Sequence, residues 1–104
     1  LVNDANFSFL VASSYIIRFY AISNYTLFLL IHDNKIVISK TLKHFEELLP
    51  EESFFRSHQS HLINLLHLEK FSKQDGGELL LKNGHRVPLA SRRKEEFLKI
   101  FQNH

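Results

Sequence analysis

Hydrophobic and polar positions along this chain switch between two rhythms. Residues 7–11 form a short apolar run, residues 16–21 follow, and "YTLFLLI" at 25–31 is β-branched and aromatic and too short for a typical helix. Residues 25–31 therefore read as a strand. His32, Asp33, Asn34 and Lys35 supply turn chemistry before Ile36, Val37 and Ile38 resume the sheet, which predicts a hairpin. The period then changes: Leu42, Phe45, Leu48 and Leu49 lie three or four apart, one face of a helix. Ser39 or Thr41 can cap its start, and Pro50 stops it by forcing the preceding residue out of the α region. After residue 77, "ELLLKNGHRVPL" carries a second hairpin signal, with Asn83-Gly84 suited to the positive φ angles of a type I′ turn. Pro88, lacking an N–H, belongs at an edge or strand end. "SRRKEEFLKIFQ" reads as a C-terminal helix capped by Ser91, with Glu95 and Glu96 near its positive end and Phe97, Leu98, Ile100 and Phe101 on its apolar face.

Composition narrows the class. The 104 residues amount to a single domain, 44% hydrophobic with ten Phe, enough for one modest core. No apolar run approaches the roughly 18–20 residues of a membrane span, so a soluble domain without a membrane partner is expected. There is no Cys, which excludes disulfides, thiolate zinc sites and cysteine nucleophiles, and fits a cytoplasmic protein. Met is absent too, even at position 1, so residues 1–104 read as one domain excised from a longer chain. No repeat, low-complexity tract or linker divides it; Asp75, Gly76 and Gly77 form the only flexible-looking spot. The net charge of +2 hides a gradient. Residues 56–94 hold eight Lys/Arg against three acids, whereas residues 1–55 hold four against six. A basic half favours a nucleic-acid partner more than a near-neutral total does.

The polar cluster in "FFRSHQSHLINLLHLEKF" directly precedes a segment that must be buried, and three chemistries compete for it. His58 and His61 have metal-ligand spacing, but Glu69 is the only close acid, which disfavours a metal site. Ser57-His58 and Ser60-His61 are sequence neighbours, which on a strand point to opposite faces, and no G-x-S-x-G turn or Gly-rich phosphate loop exists. Neither an enzyme nor a cofactor is expected. Nucleic-acid binding remains: Arg56, Arg92 and Arg93 supply attraction to phosphate, His58 and Ser60 fix geometry, and Gln59 or an Arg can present a bidentate edge to a base.

"FFRSHQSHLIN" resembles the R-x-H-x-S-x-x-[IV]-N signature of the LytTR DNA-binding domain, an output module of bacterial two-component response regulators. "IIRFYAISNYT", "ISKTLKHFEELLP" and "GGELLLKNGHRVPLASRRKEEF" are similar to further stretches of that family, in order, so the resemblance spans about residues 8–101. It implies a mainly β fold of small antiparallel sheets stacked in an elongated body, with short helices including one near 41–49 and a C-terminal one near 92–102. It also implies sequence-specific DNA binding through loops in the major groove rather than through a recognition helix. The DNA-binding residues would be Asn24 and Tyr25 in a first loop, Arg56, His58, Gln59 and Ser60 in a second, and Ser91, Arg92 and Arg93 in a third. Gln59 and an Arg of the third loop would read bases, while Arg56, His58 and Ser60 would touch phosphates or brace the loop. Asn64 would satisfy buried backbone, His61 would be structural, and residues 62–68 would anchor the cluster to the core.

The implied partners are double-stranded promoter DNA, a receiver domain in the same full-length chain, and a second copy on a repeated half-site. The rival expectation is a non-enzymatic protein-interaction module that keeps the fold. Five positions depart from the family pattern: Tyr20, Ile22 and Ser23 stand where an acid, a polar residue and a glycine are frequent, Gln59 where Lys or Arg is common, and Ala90 where Val is usual.

Overall fold

A computed structural model describes residues 2–3, 10–11, 13–72 and 77–102; Phe7 to Phe9 of the first apolar run and Asp75 and Gly76 of the glycine spot lie outside them. The first strands, β1 (Val2–Asn3) and β2 (Leu10–Val11), pair with each other. A five-stranded antiparallel sheet follows: β3 (Ile16–Ile22), β4 (Tyr25–Leu30), β5 (Lys35–Ile38), β6 (Phe54–His58) and β7 (His61–Asn64), in the order β5-β4-β3-β7-β6. A smaller sheet holds β8 (Leu68–Ser72), β9 (Glu78–Leu81) and β10 (Arg86–Pro88) in the order β10-β9-β8. Helices α1 (Leu42–Leu48) and α2 (Lys94–Gln102) complete a body measuring 40 × 24 × 22 Å. The expected elongated, mainly β architecture is the one observed.

The core lies on both faces of the large sheet. On one face Phe19, Phe28, Phe54 and Leu62 pack against Leu42 and Phe45 of α1, with the Phe19 and Phe28 ring centroids 4.4 Å apart and Phe45 edge-on to Phe28 at 4.8 Å. On the other face Ile17, Phe55 and Ile63 meet Leu79, Leu81 and Val87 of the small sheet and Phe97 of α2. A register shift resets the in–out alternation of β3, so that Ile16 and Phe19, three apart, share one face. Between Ile16 and Arg18 strand β3 carries an extra residue against β4; Ile16 lies in the first cluster and Ile17 in the second.

Helix α1 begins at Thr41, whose Oγ1 accepts the His44 N–H at 3.3 Å, and ends at Leu49, extended before Pro50. Three expectations change. Ser91 is not a helix cap: it opens a 3-10 turn, Ser91–Arg93, because the Arg93 N–H is drawn to Ala90 O at 2.8 Å, and the α-helix starts only at Lys94. Residues 62–68 are not buried throughout: Leu66 is 58% exposed, because Asn64 turns the chain into a short 3-10 helix, Leu65–His67. Phe101 is also exposed, though its ring stacks on Phe97.

The type I′ geometry expected at Asn83-Gly84 falls at the other hairpin. At Asn83-Gly84 only Gly84 has positive φ (+88°), and the Gly84 N–H donates to Leu81 O at 2.9 Å. That is a three-residue loop with a glycine bulge, not a type I′ turn. The pair of positive φ angles that defines type I′ sits instead at His32 (61°) and Asp33 (60°), where the Leu30 N–H donates to Asn34 O at 2.8 Å. A side chain in this left-handed region costs about 1–2 kcal/mol, offset by glycine's greater freedom in the unfolded chain. Asp33→Gly is therefore expected to raise stability by about 0.5–1 kcal/mol, read as a higher urea midpoint at constant m-value.

Candidate nucleic-acid interface

The β6–β7 hairpin is the centre of the candidate site. Its ladder shifts register between Arg56, opposite Leu62, and His58, opposite His61, so Ser57 is a bulged residue. The shift puts Arg56 in the α1-side row with Leu62 and Phe19, and His58 in the opposite row with His61 and Tyr20. Ser57 itself is fully buried, and its carbonyl, freed from the ladder, accepts the Ala90 N–H at 2.8 Å.

Arg56 is spent within the protein. Its Nη1 donates to Glu46 Oε1 at 2.7 Å, its Nε to His58 O at 3.0 Å and its Nη2 to Gln59 O at 2.6 Å. The guanidinium thus ties α1 to two consecutive carbonyls of the turn, with its side chain only 17% exposed. His58 Nδ1 accepts the Ser60 N–H at 3.1 Å, which puts the neutral ring's proton on Nε2 and makes that edge a donor. Gln59 is exposed at the tip, and its side-chain amide makes no hydrogen bond among the described residues.

Two further corners are stitched to this hairpin. On one side the Ala21 N–H donates to Ser60 O at 2.9 Å, which seats the β3–β4 turn beside Gln59. That two-residue turn is Ser23-Asn24, Ser23 holds φ 54°, and Asn24 and Tyr25 are exposed. The positive φ gives a physical reason for a glycine at position 23. On the other side the Ala90–Ser57 bond anchors the 3-10 turn that carries Ser91, Arg92 and Arg93. Ser91 and Arg92 are exposed; Arg93 is half-buried, and its Nη1 donates to Glu96 Oε2 at 3.0 Å. All nine expected residues therefore lie at this hairpin or on the two turns hydrogen-bonded to it. Asn64 sits at the opposite end of β7, where it satisfies backbone groups as expected.

Sequence reasoning missed the support. Arg18 Nη1 donates to His61 Nδ1 at 3.3 Å, and the His61 ring lies 4.8 Å from that of Tyr20. Nothing in the sequence paired Arg18 with a residue 43 positions away. Glu46 also escaped notice, although Glu96 could have been found from its helical spacing to Arg93. Arg56, Arg93, Glu46 and Glu96 border one groove of about 900 Å³ between α1 and α2. Among the described residues no group of three or more His, Asp or Glu is placed to hold a metal ion. No helix among them is long and apolar enough to cross a membrane.

Burial, then Arg18, then His58 lower the His61 pKa from 6.5 to about 4. The ring is thus neutral in the folded state where the unfolded chain already takes up a proton. Its contribution to stability is complete above pH 6.5 and declines as pH falls toward 4. With the partly open ring discounted for solvent screening, the decline is about 1–2 kcal/mol. His61→Tyr should flatten that part of the stability–pH curve, as measured by urea unfolding from pH 7 to 4.

A family model described as the LytTr DNA-binding domain matches residues 7–102 of the chain. A solved structure from Bacillus cereus, described as the LytTr DNA-binding domain of a methyl-accepting/DNA response regulator, aligns with a TM-score of 0.80 and 27% identity. The alignment covers 88% of this chain and 84% of that one. No curated protein matches.

Proposed function

Since the chain belongs to the LytTR family of DNA-binding domains, we propose that it is the output domain of a bacterial transcriptional response regulator that binds promoter DNA sequence-specifically. The observation that carries this reading is the stitching of two exposed turns to the β6–β7 hairpin, through Ala21–Ser60 and Ala90–Ser57. One continuous polar edge then offers Asn24 and Tyr25, then His58, Gln59 and Ser60, then Ser91, Arg92 and Arg93. Gln59 and Arg93 are the base readers in this proposal, since each has a planar polar edge suited to bidentate contacts. Arg92, His58 Nε2 and the Ser91 hydroxyl face phosphates. Arg56, satisfied three times over by its own chain, braces the turn.

The domain acts in the cytoplasm, without catalysis or a cofactor. A receiver domain in the same full-length protein supplies the signal. Copies pair on repeated half-sites, where receiver-driven pairing raises the effective concentration of the second domain.

The test is binding to duplexes enriched from a random pool, against random-sequence DNA. Affinity should fall steeply with added salt. Arg93→Ala should weaken specific binding by about 1–3 kcal/mol, the worth of one good base contact. Lys70→Ala, on the small sheet, should change little. Failure to enrich any sequence, with no salt-dependent shift, would support a protein-interaction module instead.

A further inference from the structure

We infer that Glu96 is a positioning residue that aims Arg93 at a guanine and so sets base preference at that point of the site. This rests on reading Arg93 as a base contact. Arg93 stands at the end of the 3-10 turn, with its backbone held by the Ala90 O bond and its side chain 30% exposed. One terminal nitrogen is engaged by Glu96 Oε2 at 3.0 Å. Among the described residues its Nε and Nη2 make no other hydrogen bond, so one edge of the guanidinium is fixed and another remains for O6 and N7 of guanine. An unbuttressed arginine must lose its rotamer freedom on binding; one already held by a carboxylate has lost much of it beforehand.

Glu96 lies in the first turn of α2, where a carboxylate is also favoured by the helix dipole. A role limited to that effect would leave base preference untouched. The neighbouring Glu95 provides the internal control. It sits in the same turn but faces Lys99, at 4.0 Å, and not Arg93.

The experiment uses this chain and a duplex enriched by it from a random pool, with each G·C pair replaced in turn by A·T. Wild type, Glu96→Gln, Glu95→Gln and Arg93→Ala are compared at one ionic strength, with folding checked by circular dichroism. Glu96→Gln should lower the preference for one guanine by about three- to tenfold, from the rotamer cost of one immobilised side chain. It should also raise affinity for all DNA, because a negative charge facing phosphate is gone. Glu95→Gln should reproduce only the general rise. If Arg93→Ala erases the preference and Glu96→Gln does not alter it, Glu96 has no aiming role. If Arg93→Ala also leaves it intact, the base-reading role of Arg93 fails, and this inference fails with it.

Discussion

Asn64→Ala is expected to destabilise the domain by about 3 kcal/mol. The side chain is 97% buried by its 3% relative exposure, and all its polar capacity is directed at backbone. Nδ2 donates to Ile16 O at 2.8 Å and Ser13 O at 3.2 Å, while Oδ1 accepts the Leu66 N–H at 3.0 Å. Each net bond is worth about 1 kcal/mol, and a buried carbonyl left without a donor costs about 1–3 kcal/mol more. Asn64→Asp should not rescue, since it keeps the acceptor but aims a carboxylate at the Ser13 and Ile16 carbonyls. The urea midpoint should fall at constant m-value. Asn64 lies at the far end of β7 from the polar edge, so affinity for enriched DNA, measured where the variant is folded, should stay near wild type. A large affinity loss in folded protein would show that this residue acts at the interface.

Arg56→Lys should behave differently, losing stability and DNA affinity together. A lysine carries the same charge but presents a compact ammonium in place of a planar fork. It cannot serve Glu46 Oε1, His58 O and Gln59 O at their observed positions. The expected loss is about 2–4 kcal/mol, from charge-assisted bonds of which two restrain the turn. Faster amide hydrogen exchange at Gln59 and Ser60 should accompany it. If Arg56→Lys lowered affinity while stability and exchange stayed at wild-type values, Arg56 would be a phosphate contact rather than a brace.

The sequence pattern revealed most of the elements. Helix α1 and the apolar stripe of α2 follow from spacing, because burial of one face imposes a period, and the hairpin of β4 and β5 follows from β-branched runs around turn residues. The bulges at Ile17 and Ser57 left no such trace. Each adds one residue to a strand, and only the partner's register reveals it. The unexpected turn at residues 82–84 had a similar cause: Asn83-Gly84 favours type I′, but strands β9 and β10 meet in a register that leaves three residues to the loop. At the site, the residue types implied by family resemblance were legible, and their working states were not. Whether an arginine faces solvent or its own chain depends on a distant carboxylate, here Glu46 on a helix ten residues away.

That inward use of Arg56 bears on ionic strength. A cation already neutralised by Glu46 displaces no counterion from a duplex, so it adds nothing to the slope of log affinity against log salt. The slope should therefore report fewer displaced ions than a tally of the basic side chains along this edge would suggest, and Arg56 replacements that still fold should leave it unchanged.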